Sequence, residues 1–275
     1  MKLNLTRTLF VLAAVVLFYT SCKKQNTPSA SSATTKAVID YKTLSSTIGT
    51  QFYKSITGQY GGTDVNKGIT TPFATHDVGN QKVLLSSVPL CGFVMDTTFS
   101  TKTGINPMVD TVKTHFENLH LTYTCDAGQV NGYIVRDSLV NVLNHSLFVF
   151  DTYAITQYYA VKALDQTYKL VSMDGSLSSF VETKNIEAPN SVSTASIYYL
   201  VGLKVNFASG SADITAGTTS FKTTSSEFGP QLNYKTITTT YYGTIVYLGK
   251  HKAKVTFTPG AAYIVDLVTG VATPA

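Results

Sequence analysis

The sequence predicts a mainly β protein: one large twisted antiparallel meander sheet or open barrel, with one N-terminal amphipathic helix packed on it. Three observations support this prediction. Ser, Thr and Tyr are abundant while charged residues make up only 13% of the chain, a composition typical of strand faces rather than of helices. Apolar residues alternate with a period of two along much of the chain after Gly62. Turn residues separate these runs, and no helical pattern lies between them.

One helix is predicted near the N-terminus, over about residues 38–57. Apolar residues recur there every three or four positions from Val38 to Ile56, and Gly58 ends the run. The other side of this helix is rich in Ser and Thr and contains just two lysines. We therefore expect the helix to pack on the sheet rather than to lie on a membrane surface.

Several alternating runs are longer than an ordinary strand of five or six residues. They cover residues 146–163, 197–207 and 234–248, and such long strands imply a tall, twisted sheet. Short turn sequences between the runs favour hairpin connections, and hence antiparallel pairing. These sequences are Asp126-Ala-Gly128, Asn144-His145, Asp174-Gly175, Pro189-Asn190, Ser209-Gly210, Gly229-Pro230, Gly249-Lys250 and Pro259-Gly260.

Residues 1–21 have the features of a lipoprotein signal peptide. Lys2 and Arg7 precede an apolar run that is too short to span a bilayer as a helix. The run ends at Tyr19-Thr-Ser-Cys22, which resembles a bacterial lipobox, in which the Cys is lipidated and becomes the mature N-terminus. Several acyl chains on Cys22 would give stable membrane attachment. We expect an outer-membrane lipoprotein of the cell envelope, and leave open whether it faces the periplasm or the cell surface.

Residues 22–36 are interpreted as the lipidated Cys and a flexible polar tether, and residues 37–275 as a single β-rich domain. Removal of the signal peptide takes two of the 21 basic residues away and leaves 19 basic against 16 acidic residues, a net charge of +3. Arg136 is the only arginine that remains. This near-neutral balance and the lack of Lys/Arg runs argue against a nucleic-acid partner.

Cys91 and Cys125 are the two remaining cysteines. In an oxidising periplasm an even number of remaining cysteines indicates a disulfide. Both residues lie in strand-like segments, so we expect a bridge between neighbouring strands. Free buried thiols and a reactive or metal-binding Cys remain as alternatives. No Cys-x-x-Cys motif or zinc-ligand spacing is present to support a metal.

The segments around both cysteines resemble a group of uncharacterised Bacteroidetes β-rich lipoproteins. The shared features are the Ser-Cys-Lys-Lys lipobox junction, a Cys-Gly-x-Val strand starting at Cys91, and a Cys-x-x-Gly turn starting at Cys125 that is followed by Gly132-Tyr-Ile134. The similarity covers about residues 38–165. It implies an envelope location and a β-rich fold, and it implies no activity.

Residue patterns typical of catalysis or metal binding are weak. The sequence has no nucleophile elbow, no phosphate-binding Gly-rich loop and no His-Glu-x-x-His motif. His115 and His120 are five apart, which places them on opposite faces of a strand. We interpret each of the five His as a surface or turn residue, and we expect no metal and no cofactor.

Two acidic patterns are candidates, one for a calcium site and one for a catalytic carboxylate pair. Asp64-Val-Asn66 resembles the start of a calcium loop, but Thr75 stands where such a loop has its bidentate Glu. Asp137 and Asp151 are a candidate carboxylate pair that could meet across strands, as in a glycosidase, although nothing in their spacing selects them. We interpret these carboxylates as solvated strand residues.

Tyrosine pairs are the most suggestive feature of the domain. Tyr198-Tyr199 and Tyr241-Tyr242, like Tyr158-Tyr159, each place one ring on either face of a strand. Tyr is a good strand residue in its own right, but an exposed ring can also stack on a sugar, and an inward ring can line an apolar cavity. Tyr198, Tyr199, Tyr241 and Tyr242 are therefore the candidate ligand-binding residues.

Together these features predict a lipid-anchored envelope protein with a non-catalytic binding or scaffolding role. Two more specific alternatives are a carrier of a lipid or other hydrophobic ligand inside an open barrel, and a glycan-binding accessory lipoprotein. The membrane is the expected partner, through the lipid anchor. The sequence identifies neither a protein partner nor an enzymatic substrate.

Overall fold

The computed structural model of the protein describes residues 40–69, 91–104, 112–144, 148–208 and 210–275. The predicted signal peptide, Cys22 and the tether lie outside the described residues, as do Thr75, His76 and one residue from each of two predicted turns, His145 and Ser209. The residues from Asp40 to Ala275 belong to one compact unit. Within the described part of the chain, no helix is long and apolar enough to cross a membrane.

Helix α1 spans Tyr41–Ile56, within the predicted range. It begins at Tyr41 because the carboxylate of Asp40 accepts hydrogen bonds from the backbone N–H groups of Lys42 and Thr43, at 3.0 and 3.3 Å. A short 3₁₀ turn, Val65–Lys67, follows the helix. Asp64 caps this turn by accepting from the Asn66 N–H at 2.9 Å. The segment that resembles a calcium loop thus begins with a capped turn.

In the described part of the chain, eleven strands form a single antiparallel meander, so the predicted fold class is confirmed. Each strand pairs with its neighbours in the chain, in the order β1 to β11, and no pairing between β1 and β11 closes the described sheet. The strands are β1 Val94–Gly104, β2 Val112–Asp126, β3 Gln129–Asn144, β4 Val149–Ala163, β5 Leu170–Asn185, β6 Asn190–Asn206, β7 Asp213–Phe228, β8 Ile237–Gly249, β9 Lys252–Phe257, β10 Ala262–Asp266 and β11 Ala272–Pro274.

Asp174-Gly175 is not a turn, which corrects the sequence prediction. Both residues lie inside β5, opposite a bulge at Val201 and Gly202 of β6. The Asp174 carboxylate accepts a hydrogen bond from the Gly202 N–H at 2.6 Å, so the side chain stabilises the bulge rather than a turn. A side chain at Gly175 would collide with the carbonyl oxygen of Tyr158 on β4. Glycine is therefore required by the close approach of two strands.

The sheet has two distinct faces. The inner face carries α1 and the hydrophobic core, and the outer face is the opposite side of the same strands. Phe52 of α1 packs against the rings of Tyr198 and Tyr247, with centroids 5.2 and 5.7 Å apart. The helix is therefore a core element, as expected from its Ser- and Thr-rich polar side.

Cys91 and Cys125 form a disulfide. Cys91 lies in a turn just before β1 and Cys125 lies near the end of β2, with Cα atoms 5.5 Å apart. The predicted disulfide is therefore confirmed. It joins the open ends of the β1–β2 hairpin, with Cys91 just before β1 rather than within a strand. Backbone pairing continues beside it, because the Tyr123 N–H donates to the Phe93 carbonyl at 3.0 Å.

Candidate functional site

The four candidate tyrosines divide between the two faces. Tyr198 is fully buried, and its hydroxyl donates to the Ile48 carbonyl of α1 at 3.1 Å. Tyr241 also points inward, and its ring lies edge-on to Tyr41 of α1 at 6.3 Å. Tyr199 and Tyr242 are on the outer face and are 54% and 52% exposed. The predicted split of each pair is confirmed; Tyr198 is buried and Tyr241 is partly buried, so the outward rings are the more accessible to a ligand.

The outer face carries a regular arrangement that we call the outer panel. It consists of three adjacent cross-strand rows on β3 to β8, fixed by the strand register. Ser and Thr are its commonest residues. The rows are Arg136-Tyr158-Ser176-Tyr199-Ser220-Thr244, Ser138-Thr156-Ser178-Ile197-Lys222-Tyr242 and Val140-Ala154-Phe180-Ala195-Thr224-Thr240.

Three exposed tyrosines stand on alternate strands of this panel. Tyr158 on β4, at 50% exposure, and Tyr199 on β6 occupy the same row with Ser176 between them. Tyr242 on β8 is displaced by one row. Since neighbouring strands are about 4.8 Å apart, rings on alternate strands are separated by about 10 Å. The panel therefore presents flat aromatic surfaces at intervals, with small hydroxyl side chains between them.

A groove of about 380 Å³ runs along the second and third rows of the panel. Small residues such as Ser138, Thr156 and Ser178 form its lining, together with the apolar side chains of Val140 and Phe180. The groove exists because small side chains on β4, β5 and β6 leave space between larger neighbours. It offers hydroxyl groups for hydrogen bonding and apolar surface for packing.

A cation lies over each of two panel tyrosines. The Arg136 guanidinium carbon is 5.0 Å from the centre of the Tyr158 ring, and Lys222 Nζ is 5.9 Å from the centre of the Tyr242 ring. Both distances are within the range of cation–π attraction. Such contacts orient the long side chains and place positive charge beside the exposed rings.

A second set of polar residues, the inner polar cluster, lies on the opposite face of β2 to β4. It consists of His115 and Glu117 on β2, Asp137 and Asn141 on β3, and Gln157 on β4, and all five are buried. His115 Nδ1 lies 2.6 Å from Asn141 Oδ1, and His115 Nε2 lies 2.9 Å from Glu117 Oε2. The expectation that every His is a surface or turn residue is therefore wrong for His115.

The inner polar cluster binds the segment that follows α1. Asp137 Oδ2 accepts from the Thr63 N–H at 3.0 Å, and Gln157 Nε2 donates to the Ser55 carbonyl at 2.7 Å. The Thr63 hydroxyl also bonds to Gln157, and the Asn141 amide donates to the Tyr60 carbonyl. These bonds satisfy polar groups that the loop buries against the sheet.

Burial and the nearby Glu117 carboxylate raise the pKa of Asp137 to about 8, against the opposing effects of the Thr63 N–H and His115. Asp137 Oδ1 is buried and has no hydrogen-bond partner in the described structure. Burial also raises the pKa of Tyr159, whose hydroxyl is 2.9 Å from the Thr63 hydroxyl. A neutral Asp137 is therefore favoured near pH 7.

Chemically, the inner polar cluster is a closed structural site. Its side chains face α1 and the following loop, so no substrate reaches them in this conformation. Among the described residues, no group of three or more His, Cys, Asp or Glu is placed to hold a metal ion. The cluster acts by fixing the loop to the sheet.

The proposed pairing of Asp137 with Asp151 is wrong. Asp137 pairs with Gln157, whereas Asp151 pairs with Leu143, six positions along β4. At 3.3–3.4 Å per residue the two positions are about 20 Å apart. The interpretation of Asp137 as a solvated residue is also wrong, because it is buried.

His120 and His251 lie where the strand alternation and the turn residues predict. His120 is on the outer face, with Nδ1 3.5 Å from the Asp96 carboxylate, so His115 and His120 are on opposite faces as predicted. His251 lies in the β8–β9 turn, with its ring 6.0 Å from that of Tyr53.

The sequence analysis did not predict that Tyr158, Arg136 and Lys222 lie together on one surface. Each outward position is visible in the period-two pattern, but cross-strand neighbours depend on hairpin register, and the bulge in β6 shifts that register. Comparison with known proteins adds no further evidence: no family model, no curated protein and no solved structure matches the chain.

Proposed function

We propose that the chain is a lipid-anchored protein of the bacterial cell envelope that binds a glycan through its outer panel, without catalysing a reaction. The observation that carries this proposal is the placement of Tyr158, Tyr199 and Tyr242 on alternate strands, each about half exposed. Sugar rings have apolar C–H faces that stack on aromatic rings and hydroxyl edges that form hydrogen bonds. The outer panel supplies aromatic rings for stacking and hydroxyl groups for hydrogen bonding at regular intervals.

The envelope address is supported by the sequence around Cys22. A basic start, a short apolar run and a Cys at its end form the pattern of a lipoprotein signal. A polar tether after Cys22 would let the domain extend from the membrane while remaining attached. An exposed glycan-binding face suits a protein held beside the polysaccharides of the envelope.

The hydrophobic-carrier alternative receives less support. In the described residues the inner face is filled by α1 and its core partners, including the fully buried Phe52, Tyr198 and Tyr133. The 380 Å³ groove lies on the other face, is open to solvent, and is lined by both hydroxyl groups and apolar side chains. A carrier for an apolar ligand needs an enclosed apolar cavity, which favours the glycan over the lipid as ligand.

Anchoring is tested by fractionating bacterial cells that express the full chain. Wild-type protein should sediment with membranes and incorporate labelled fatty acid. Cys22→Ala should abolish the label and release the protein from the membrane. Ser21→Ala is the matched control, since it keeps a small residue before the Cys and should leave attachment unchanged. A Cys22→Ala protein that still sediments with membranes would refute the lipid anchor.

Glycan binding is tested by affinity electrophoresis of the detergent-solubilised full chain in gels that contain neutral, acidic or amino-sugar polysaccharides. At least one polysaccharide should retard the wild-type protein, and Tyr199→Ala should weaken the retardation. Thr98→Ala, an exposed change on β1 outside the panel, serves as the control. If no polysaccharide retards the protein, the proposed function is wrong.

A further inference from the structure

The charges of the outer panel are all of one sign. In its three rows, which lie entirely within the described residues, Arg136 and Lys222 are the only charged side chains. The nearest outward carboxylates are Asp96, which continues the first row on β1 and lies 3.5 Å from His120, and Asp174 and Glu182, which lie in the rows just beyond the panel on either side. Asp174 is already engaged by the Gly202 N–H.

Neither cation has a carboxylate partner among the described residues. No carboxylate in the described structure forms a salt bridge with Arg136 or with Lys222. Each instead lies over a tyrosine ring, at 5.0 and 5.9 Å from the ring centre. Arg136 presents a planar fork of N–H donors that matches a carboxylate, whereas Lys222 is a compact point charge.

The separation of the two cations indicates the size of the ligand. Arg136 is on β3 and Lys222 is on β7, four strand spacings away, which corresponds to about 19 Å. The exposed rings of Tyr158 and Tyr199 lie between them, and Lys222 lines the groove. One small anion cannot contact both cations, but an extended chain with repeated acidic groups can.

Resting on the proposed function, we infer that the outer panel recognises an acidic linear glycan that crosses the strands. Its sugar rings stack on Tyr158, Tyr199 and Tyr242, and its carboxylates pair with Arg136 and Lys222. An anionic membrane surface would also attract the two cations. However, the abundance of Ser and Thr between the aromatic rings suits a hydroxylated ligand better than acyl chains.

The test compares two ligands that differ only in charge. Detergent-solubilised full-length protein is titrated with polygalacturonate and with its fully methyl-esterified form; alginate and neutral dextran extend the comparison. We expect binding to both acidic polymers, weak binding to the neutral ones, and a steady loss of affinity with added salt. Vesicles containing phosphatidylglycerol probe the membrane alternative; Arg136→Gln and Lys222→Gln are compared with wild type because the lipid anchor alone would attach the protein to vesicles.

Substitutions of Arg136 and Lys222 test the contribution of each positive charge to binding. Arg136→Gln and Lys222→Gln should each weaken acidic-glycan binding by about tenfold, the loss expected when a charge-assisted hydrogen-bonding pair is removed. Arg136→Lys should fall between wild type and Arg136→Gln because it keeps the charge but loses the planar fork. Lys252→Gln, on β9 outside the panel, is the charge-matched control and should bind normally. Unchanged melting temperatures establish that the variants are folded.

Each outcome decides between the two proposals. Equal binding of the acidic and esterified polymers, with no effect of Arg136→Gln, overturns the acidic specificity but leaves glycan binding intact. Vesicle binding that Arg136→Gln and Lys222→Gln weaken, without binding to any polysaccharide, overturns both proposals in favour of a membrane surface. Absence of binding to every polymer also overturns both.

Discussion

Tyr198 and Tyr199 are consecutive residues of β6 whose rings lie on opposite faces of the sheet. The Tyr198 ring is buried against Phe52 and its hydroxyl bonds to the Ile48 carbonyl, so it connects β6 to α1. The Tyr199 ring is 54% exposed on the outer panel. Substitutions at these two positions therefore separate stability from binding.

Tyr198→Ala should lower the free energy of unfolding by about 3–5 kcal/mol, the usual cost of removing a buried aromatic ring. Tyr199→Ala should change it by less than about 0.5 kcal/mol while weakening glycan binding. Urea denaturation measures the first quantity and affinity electrophoresis the second. Equal destabilisation by both substitutions would contradict the assignment of the two faces.

Gly62→Ala should be much more destabilising than Gly68→Ala. Both glycines have positive φ angles, of 82° and 69°, so both variants carry backbone strain. A Cβ at Gly62 would lie 2.5 Å from Leu139 Cδ2 and 2.7 Å from Asp137 Oδ2, whereas a Cβ at Gly68 has no atom within 4 Å. We expect an additional loss of about 1–3 kcal/mol at Gly62 from overpacking.

Thermal or urea unfolding of the two glycine variants measures this difference directly. Similar stabilities for the two variants would show that the loop after α1 does not pack on β3 as described.

Asp137→Asn should stabilise the protein at alkaline pH. The pKa of Asp137 is raised from 3.8 to about 8 in the folded state, so between these values the folded state binds more protons than the unfolded state. Stability therefore falls as the pH rises through this window, and the contribution of the neutral form is lost above about pH 8. An asparagine side chain cannot ionise, and its oxygen can still accept the Thr63 N–H.

The urea midpoints of wild type and of Asp137→Asn are measured at three pH values: low in this window, high in this window, and just above it. Wild type should lose more stability than the variant as the pH rises, so the stability of the variant relative to wild type should increase with pH. Parallel pH profiles would contradict the raised pKa. Glu117 and His115 face Asp137 and are kept unchanged in both proteins.

Removal of the disulfide should lower stability by about 3–4 kcal/mol, since Cys91 and Cys125 are 34 positions apart in sequence. The double variant Cys91→Ala/Cys125→Ala should unfold at lower urea concentration than wild type. A reducing agent should shift wild type to the same midpoint and leave the double variant unchanged. A midpoint of wild type that does not respond to full reduction would contradict this contribution.

Local patterns in the sequence predict most of the architecture. Period-two alternation indicates the long strands, and Gly58 correctly marks the region where α1 ends. Asp126-Ala-Gly128 forms the β2–β3 hairpin because Ala127 and Gly128 adopt the positive φ angles that tight hairpins need. Each of these features depends on residues close together in the chain.

Features that depend on distant residues could not be predicted. Asp174-Gly175 has the composition of a turn, but contacts with Gly202 and Tyr158 keep it inside β5. His115 has no local signal for burial, because its partner Asn141 lies on the next strand. The outer panel likewise depends on register across six strands, so its tyrosines could be named but not assembled into one surface.

The position of α1 has a consequence for the order in which the chain folds. Each strand pairs with the strand before it, so hairpins can form one after another as the chain emerges. Helix α1 packs on β6 and β8 through Phe52 and also on the last strands: Ser46 donates to the Gly270 carbonyl at 2.5 Å, and Gly49 lies against Val265. Part of the surface of α1, the first element to be made, therefore stays exposed until the final strands are made. We expect this interval to be when the protein most needs a chaperone.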